Sequence, residues 1–237
     1  MVKITIDGRQ VDAEDEQTIL SVAQREGIEI PTLCKHEAVK PLGTCRVCMV
    51  EVVQDGKSRS VASCIFKAKE GMEVKTDSDV AKEARINAVQ TLLERAPNSQ
   101  VVQDMATRLG VQDVSTTSTS TEKCIQCTLC VRICEDIVGV SAIAMVKTEN
   151  GRKVAANPKN KTLTCIGCGS CAYACPTGNI EMIDADGIRT IKNWDGKFEI
   201  AKCKTCGNYL APQVQLDHIK NTYGIDVDVA VCRSCSA

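Results

Sequence analysis

Sixteen cysteines are the residues of this 237-residue chain that could do chemistry, and their spacing places them in three groups. The first group is Cys34, Cys45, Cys48 and Cys64. The second group is two matching runs, namely Cys124, Cys127, Cys130 and Cys134, followed by Cys165, Cys168, Cys171 and Cys175. The third group is the two pairs Cys203/Cys206 and Cys232/Cys235. Thiolate sulfur is a soft ligand that favours iron–sulfur clusters and zinc, so four sets of four thiolates predict metal centres and an electron carrier.

The first group has the form C-x10-C-x2-C-x15-C, with three cysteines on one loop and the fourth on a later segment. This arrangement predicts a [2Fe–2S] cluster, in which each iron takes two thiolates. The first gap is longer than in the plant-type C-x4-C-x2-C spacing, so the site is a variant. Gly43 lies inside the ligand loop, where a side chain would crowd the backbone around the cluster. A zinc ion bound by the same thiolates is the alternative.

The second group predicts two [4Fe–4S] clusters. In a C-x2-C-x2-C-x3-C run, the three close cysteines bind one cluster and the fourth binds the other cluster. One cluster is predicted at Cys124, Cys127, Cys130 and Cys175. The other is predicted at Cys165, Cys168, Cys171 and Cys134. Pro176 follows the second run and Glu135 follows the first; because the proline shapes the turn without binding iron, we expect both clusters.

The third group predicts a structural zinc site with four thiolates, Cys203, Cys206, Cys232 and Cys235. A gap of 25 residues separates the two pairs. Zinc ribbons more often have gaps of ~15–20 residues, so a short helix is predicted within the gap, at residues 214–223. A third [4Fe–4S] cluster is the alternative. His36 and His218 are predicted to be surface residues rather than ligands, and Trp194 is predicted to be a packing residue.

Disulfides are the alternative use of so many cysteines, and they require an oxidising compartment. Residues 1–4 lead straight into a strand pattern without an apolar secretory segment, so we expect a cytoplasmic protein with reduced thiols. No stretch approaches ~18 consecutive apolar residues, which predicts no direct membrane insertion. The net charge is −1 and no basic cluster with interleaved aromatics occurs, which predicts no nucleic-acid partner.

The hydrophobic pattern predicts the elements that position the cysteines. Thr18 is predicted to cap a helix that ends at Gly27. Period-two alternation and turn residues predict strands at residues 2–6, 9–13, 47–53, 59–62 and 73–76. A hairpin, a crossing helix and further strands are typical of a β-grasp domain. A long helix over residues 79–96 is predicted to bury Ala88, Leu92 and Leu93, and Ser99 is predicted to cap a second helix.

The predicted fold class is α+β, in four segments. Residues 1–78 form a β-grasp [2Fe–2S] ferredoxin-like domain, and residues 79–121 form a helical segment with a polar linker at 115–121. Residues 122–185 form a bacterial-type 2[4Fe–4S] ferredoxin domain. Residues 186–237 form a small C-terminal four-cysteine module that binds zinc or a cluster, with a hairpin near residues 191–200.

Residues 1–185 resemble the iron–sulfur subunits of NAD-linked multi-subunit oxidoreductases. That family includes the N-terminal part of the complex I large iron–sulfur subunit and the diaphorase iron–sulfur subunit of NAD-reducing or bifurcating hydrogenases and formate dehydrogenases. The likeness is carried by four segments: PTLC at 31–34, LGTCRVCMVEV at 42–52, EGMEV at 70–74 and the helix pattern at 102–111. These segments keep the module order of the family.

The resemblance implies a non-catalytic electron-transfer subunit without catalytic residues of its own. Its implied partners are a flavin- and NAD(H)-binding subunit and a second redox catalytic subunit, such as a hydrogenase or formate dehydrogenase. The family usually carries a His-x3-Cys-x2-Cys-x5-Cys segment after the long helix. Residues 92–103 contain neither His nor Cys, so we expect that cluster to be absent. A free multi-cluster ferredoxin and a redox-sensing iron–sulfur regulator are the alternative functions.

Overall fold

A computed structural model describes residues 1–111, 122–149, 151–159, 165–225 and 231–236 of the chain. The chain divides into two compact units, Met1–Cys127 and Thr128–Ala237. Each unit has its own sheets and its own cluster of buried hydrophobic residues. The polar linker predicted at 115–121 lies outside the described residues.

The first unit is built on a mixed sheet of five strands. They are β1 (Val2–Ile6), β2 (Arg9–Ala13), β3 (Met49–Gln54), β4 (Lys57–Ala62) and β5 (Glu73–Lys75), in the order β2-β1-β5-β3-β4. β1 and β5 pair in parallel, and the other pairs are antiparallel. Helix α1 (Ile19–Arg25) packs its apolar residues into the core of this sheet, and Thr18 caps it by accepting the N–H of Ser21. This arrangement confirms the predicted β-grasp architecture.

Two helices follow the sheet, α2 (Asp79–Arg95) and α3 (Gln100–Arg108), each capped by a serine. The buried stripe of α2 is Ala81, Arg85, Val89 and Leu92. The predicted apolar face was therefore partly wrong, because Ala88 and Leu93 are only half-buried. The pattern of apolar residues missed Arg85, whose Nε–H donates to the Met49 carbonyl oxygen at 2.8 Å. A charged side chain thus fixes α2 to the start of β3.

The second unit contains a hairpin and an antiparallel sheet of four strands. The hairpin pairs β6 (Ile143–Thr148) with β7 (Gly151–Ala156). The sheet consists of β8 (Met182–Ala185), β9 (Ile188–Ile191), β10 (Gly196–Lys202) and β11 (Tyr209–Pro212), in the order β11-β10-β9-β8. The predicted domain boundary at 185/186 falls in the turn between β8 and β9, and the predicted hairpin near 191–200 is the β9–β10 pair.

Short helices bring the cysteine runs of the second unit to this framework. They are α4 (Leu129–Arg132) and α5 (Ser170–Tyr173), and a π-helical turn at Ile133–Ile137 continues α4. Helix α6 (Gln213–Tyr223) packs against β10 and β11, where the sequence predicts a helix. No helix in the described part of the chain is both long and apolar enough to cross a membrane.

Candidate metal centres

The first group of cysteines is buried in the first unit, with exposed fractions of 2–4 %. Cys34, Cys45 and Cys48 lie on the loop before β3, and Cys64 follows β4. Ser63 binds the two parts together, since its backbone N–H and its hydroxyl both donate to the Cys48 carbonyl oxygen, at 3.1 and 2.8 Å. Strand pairing of β3 with β4 therefore delivers the fourth cysteine to the other three.

These four thiols interact as two pairs. A hydrogen bond from the Cys45 thiol lowers the pKa of Cys34 to about 5, and the same contact raises the pKa of Cys45. The Cys64 thiol likewise lowers the pKa of Cys48 to about 6, while its own pKa is raised. Two thiol pairs match a [2Fe–2S] cluster, in which each of two irons takes two thiolates.

At Gly43 an added side chain would meet another side chain, not the backbone that the sequence predicts. Its φ is +65°, and an added Cβ would lie 2.8 Å from Cδ1 of Ile65. A side chain here would have to adopt a left-handed conformation and displace a neighbour of Cys64 at the same time.

Two cysteines of the first predicted [4Fe–4S] site accept backbone N–H hydrogen bonds on their sulfur atoms. Gln126 N–H donates to Cys124 Sγ at 3.4 Å, and Asn179 N–H donates to Cys175 Sγ at 3.3 Å. Cys127 and Cys130 are buried, with exposed fractions of 7 and 8 %. Cys124 and Cys127 belong to the first unit and Cys130 and Cys175 to the second, so the grouping of these four remains a prediction.

The second predicted [4Fe–4S] site is a cavity inside the second unit. Four of its lining residues are the cysteines predicted to share this cluster, Cys134, Cys165, Cys168 and Cys171. The other lining residues are apolar apart from Ser170. Burial raises the pKa of Cys134 and Cys165, and it raises that of Cys171 to about 12. Metal binding relieves this cost because a bound thiolate no longer has to be a free buried anion.

A π-helical turn places Cys134 in this cavity without a proline. The backbone N–H groups of Val140 and Ser141 donate to the Cys134 carbonyl oxygen at 3.1 and 3.2 Å. Ala142 N–H donates to Cys134 Sγ at 3.3 Å. Single π-helical turns occur frequently at functional sites. Glu135 can stand after this cysteine because hydrogen bonds, rather than a proline ring, fix the turn.

Arg189 of β9 supports the loop between Cys165 and Cys168. Its Nη1 donates to the Gly167 carbonyl oxygen at 3.1 Å, and its Nε and Nη2 bind both carboxylate oxygens of Asp184 at 2.8 and 2.7 Å. The Asp184 contact raises the pKa of Arg189, and the negative charge of Cys168 acts in the same direction. The sequence motifs gave no sign of this residue, since its place is set by the pairing of β8 with β9.

The C-terminal cysteines form a compact group in which all four Sγ atoms lie within 4.8 Å of one another. Cys206 and Cys232 Sγ are 3.6 Å apart. Tetrahedral zinc with Zn–S bonds of ≈ 2.3 Å separates its thiolates by about 3.8 Å. The thiolates of a [4Fe–4S] cluster bind four different irons and must stand further apart. The sulfur positions therefore suit a single metal ion.

Backbone N–H groups surround Cys203, the buried member of this group. Cys232 N–H donates to Cys203 Sγ at 3.3 Å, and Gly207 N–H donates to the Cys203 carbonyl oxygen at 2.9 Å. Hydrogen bonds from the N–H groups of Cys206 and Cys232 lower the pKa of Cys203 to about 6. The neighbouring Cys232 thiol helps to raise the pKa of Cys235 to about 12. These N–H donors thus favour the thiolate form of Cys203, which is the form that binds a metal ion.

Comparison with protein families assigns the cysteine-bearing segments. Residues 1–79 match the 2Fe-2S iron-sulfur cluster binding domain, and residues 123–180 match a 4Fe-4S dicluster domain. A further 4Fe-4S dicluster domain match covers residues 164–211 and reaches Cys203 and Cys206. The predicted [2Fe–2S] and [4Fe–4S] domains are thereby confirmed.

Two bacterial proteins illustrate the relatives of the chain. An NADH-quinone oxidoreductase subunit of Rhizobium meliloti is 31% identical over 234 residues, covering 87% of this chain and 27% of the relative. The alpha subunit of the NADPH-Fe(3+) oxidoreductase of Geobacter sulfurreducens is 32% identical over 207 residues, covering 76% of this chain and 24% of the relative. The chain is homologous to these oxidoreductase subunits. It spans about a quarter of their length.

The fold of this iron–sulfur chain also occurs in a solved structure of an NAD+-reducing [NiFe]-hydrogenase in the H2-reduced state. The TM-score is 0.61 at 23% sequence identity, and the match covers 81% of this chain and 87% of that chain. At this identity the likeness establishes a common fold.

Proposed function

We propose that the chain is a non-catalytic electron-transfer subunit of a cytoplasmic, multi-subunit NAD(P)-linked oxidoreductase. The observation that carries this proposal is the cavity where Cys134, from the first run, meets Cys165, Cys168 and Cys171 of the second run. Such crossing of two runs is the ligand pattern of a pair of adjacent [4Fe–4S] clusters. Adjacent one-electron carriers suit a protein that relays electrons and performs no substrate chemistry.

The number of cysteines, their burial and the backbone N–H groups that donate to their sulfur atoms support three clusters. Cys34 with Cys45 and Cys48 with Cys64 would hold the two irons of the [2Fe–2S] cluster. The [4Fe–4S] ligand sets are Cys124, Cys127, Cys130 and Cys175, and Cys134, Cys165, Cys168 and Cys171. When bound, these clusters supply one-electron oxidation and reduction. Backbone N–H groups donate to the sulfur atoms of Cys34, Cys124, Cys134 and Cys175, which favours the added negative charge of the reduced state.

The C-terminal group Cys203, Cys206, Cys232 and Cys235 would hold one zinc ion. The close approach of its sulfur atoms supports a single ion over a third [4Fe–4S] cluster. Zinc has no redox chemistry, so this site would stabilise the C-terminal module without extending the electron path.

The proposed partners are a flavin- and NAD(H)-binding subunit and a second redox catalytic subunit. The names of the relatives support them, because those proteins are subunits of oxidoreductases that act with NADH or NADPH. The fold shared with a chain of an NAD+-reducing hydrogenase is consistent with a redox partner of this kind.

Metal content of the anaerobically purified chain tests the proposal. About ten irons and one zinc are expected per chain, with electron paramagnetic resonance signals of [2Fe–2S] and [4Fe–4S] clusters after reduction. About fourteen irons without zinc would replace the zinc site by a third [4Fe–4S] cluster. Little iron and no cluster signals would overturn the electron-transfer proposal.

Purification of the tagged chain from its native cells tests the partners. A flavoprotein is expected to copurify, and NADH or NADPH should then reduce the clusters of the complex. Recovery of the chain alone, with its clusters intact but unreactive toward both nucleotides, would favour a free ferredoxin instead.

Arg85 offers a test of the proposed [2Fe–2S] site. Its exposed fraction is 6 %, and its positive charge acts on Cys48. Arg85→Met is expected to lower the reduction potential of this cluster, changing the reduced-to-oxidised ratio about tenfold at a fixed solution potential. A redox titration followed by electron paramagnetic resonance measures the change. Arg85→Lys is the control that keeps the charge; equal potentials in the Met and Lys variants would contradict an electrostatic role.

A further inference from the structure

Trp194 is the one tryptophan of the chain, and it lies in the 3-10 turn Lys192–Trp194 between β9 and β10. It lines the cavity of Cys134, Cys165, Cys168 and Cys171, and like Cys134 and Cys165 it packs against the hydrophobic cluster of the second unit. The predicted packing role therefore describes only some of the contacts of Trp194, because this residue also lines the predicted cluster site.

The indole nitrogen of Trp194 is buried and has no hydrogen-bond partner among the described residues. A buried N–H without an acceptor costs about 1–3 kcal/mol. Buried tryptophan N–H groups usually find a partner for this reason. The unpaired N–H therefore points to an acceptor that becomes negatively charged only when a cluster is bound in the cavity.

The cavity offers sulfur as that acceptor. Apart from Ser170, the side chains that line it are apolar or belong to the four cysteines. Each of the four cysteines that line this cavity can accept the N–H when its sulfur is a thiolate. The positive end of the N–H dipole favours a negative sulfur, which is the state of the atom when it binds iron.

We propose that Trp194 donates its indole N–H to a cysteine thiolate of this cavity and thereby raises the reduction potential of the cluster that this thiolate binds. The inference rests on the proposed ligand set of Cys134, Cys165, Cys168 and Cys171. Reduction adds one electron to the cluster, and part of that charge lies on the cysteine sulfurs. A donor on sulfur stabilises the reduced state more than the oxidised state.

An atomic replacement at this single tryptophan tests the proposal in the full-length, cluster-loaded chain. Replacing Trp194 by 3-benzothienylalanine keeps the size and shape of the bicyclic ring but substitutes sulfur for the N–H. Trp194→Phe is the second variant. In both, we expect a lower cluster potential, with a reduced-to-oxidised ratio about five- to tenfold smaller than wild type at a fixed solution potential.

A second readout does not depend on mutation. The reduced wild-type protein, labelled with 15N at its tryptophan indole, is expected to show an isotropic 15N hyperfine coupling to a [4Fe–4S] signal. An isotropic coupling requires spin density at the indole nitrogen itself, which a hydrogen bond to a ligand of the cluster supplies, whereas proximity alone gives only a dipolar coupling. An unlabelled sample provides the control spectrum.

The outcomes separate this inference from the proposed function. An unchanged cluster potential in the benzothienyl protein would overturn the role of Trp194, and so would the absence of the isotropic 15N coupling. If iron content and cluster signals are normal in the same samples, the electron-transfer proposal still stands. A lower potential in Trp194→Phe alone would also overturn it, since ring volume would then be the cause. A wild-type protein without [4Fe–4S] signals would overturn both.

Discussion

Replacement of Cys134 by alanine is expected to remove the same four irons as replacement of Cys168. The two residues lie on different cysteine runs but line one cavity of the second unit. Each single variant should therefore lose up to four irons per chain, since a [4Fe–4S] cluster is held by four thiolates and each variant removes one of them. Iron and acid-labile sulfide analysis measures the loss, and electron paramagnetic resonance reports the cluster that remains.

The double variant C134A/C168A shows whether the two residues bind the same cluster. If both residues bind one cluster, it should contain as much iron as either single variant. The matched control is C175A/C168A, in which the second substitution removes a ligand of the other predicted cluster and about eight irons should be lost. Loss of about eight irons from C134A/C168A would instead assign Cys134 to the cluster of its own run, and the crossing would be wrong.

Replacement of Gly167 by alanine is expected to have the next largest effect. Gly167 has a φ of +66°, and an added Cβ would lie 2.6 Å from Cγ of Phe198. This ring atom is close to the backbone of β10 and buried, so it cannot move aside as the end of a flexible chain could. The loop between Cys165 and Cys168 must shift, and we expect the loss of about four irons or a decrease of about 2–4 kcal/mol in the free energy of unfolding.

Gly178 provides a matched control for the Gly167 variant. Its φ is +61°, but an added Cβ there would meet no atom within 4 Å. Gly178→Ala should therefore carry only the left-handed backbone strain of about 1–2 kcal/mol and keep its iron. Adding Phe198→Ala to Gly167→Ala removes the clashing ring atom and should restore iron. Equal iron loss in the two glycine variants would show that backbone strain, and not the contact with Phe198, is responsible.

The cysteine groups and the main elements of the fold could be predicted because they depend on local spacing. Thr18 caps α1 as its sequence position indicates, and the β-grasp strands follow from period-two alternation. β3 begins at Met49 rather than at residue 47, because the preceding residues belong to the ligand loop. The ligand sets and domain boundaries remain predictions.

The residues that surround the sulfur atoms could not be predicted in the same way. Arg85 interrupts the apolar stripe of α2, and it stabilises the fold by donating a hydrogen bond to the Met49 carbonyl oxygen, 36 positions away in the sequence. Arg189 can donate to the Gly167 carbonyl oxygen only because β9 pairs with β8 and thereby places this side chain near the loop. Trp194 looks like an ordinary core residue until its nitrogen is found buried without a partner. Each depends on contacts between distant segments, which local periodicity does not record.

The C-terminal group of cysteines has a consequence for the conformational entropy of the chain. Cys203 and Cys232 are 29 positions apart, and an ion that joins them closes a loop of that length. By the chain-entropy argument that applies to disulfides, such a closure stabilises the folded state by about 3–4 kcal/mol, because the unfolded chain has fewer conformations available. One exposed member, Cys206, would leave a bound ion within reach of chelators. The segment between Cys203 and Cys232 should therefore be cleaved faster by proteases when the metal ion is removed. This difference should not depend on the redox state of the rest of the protein.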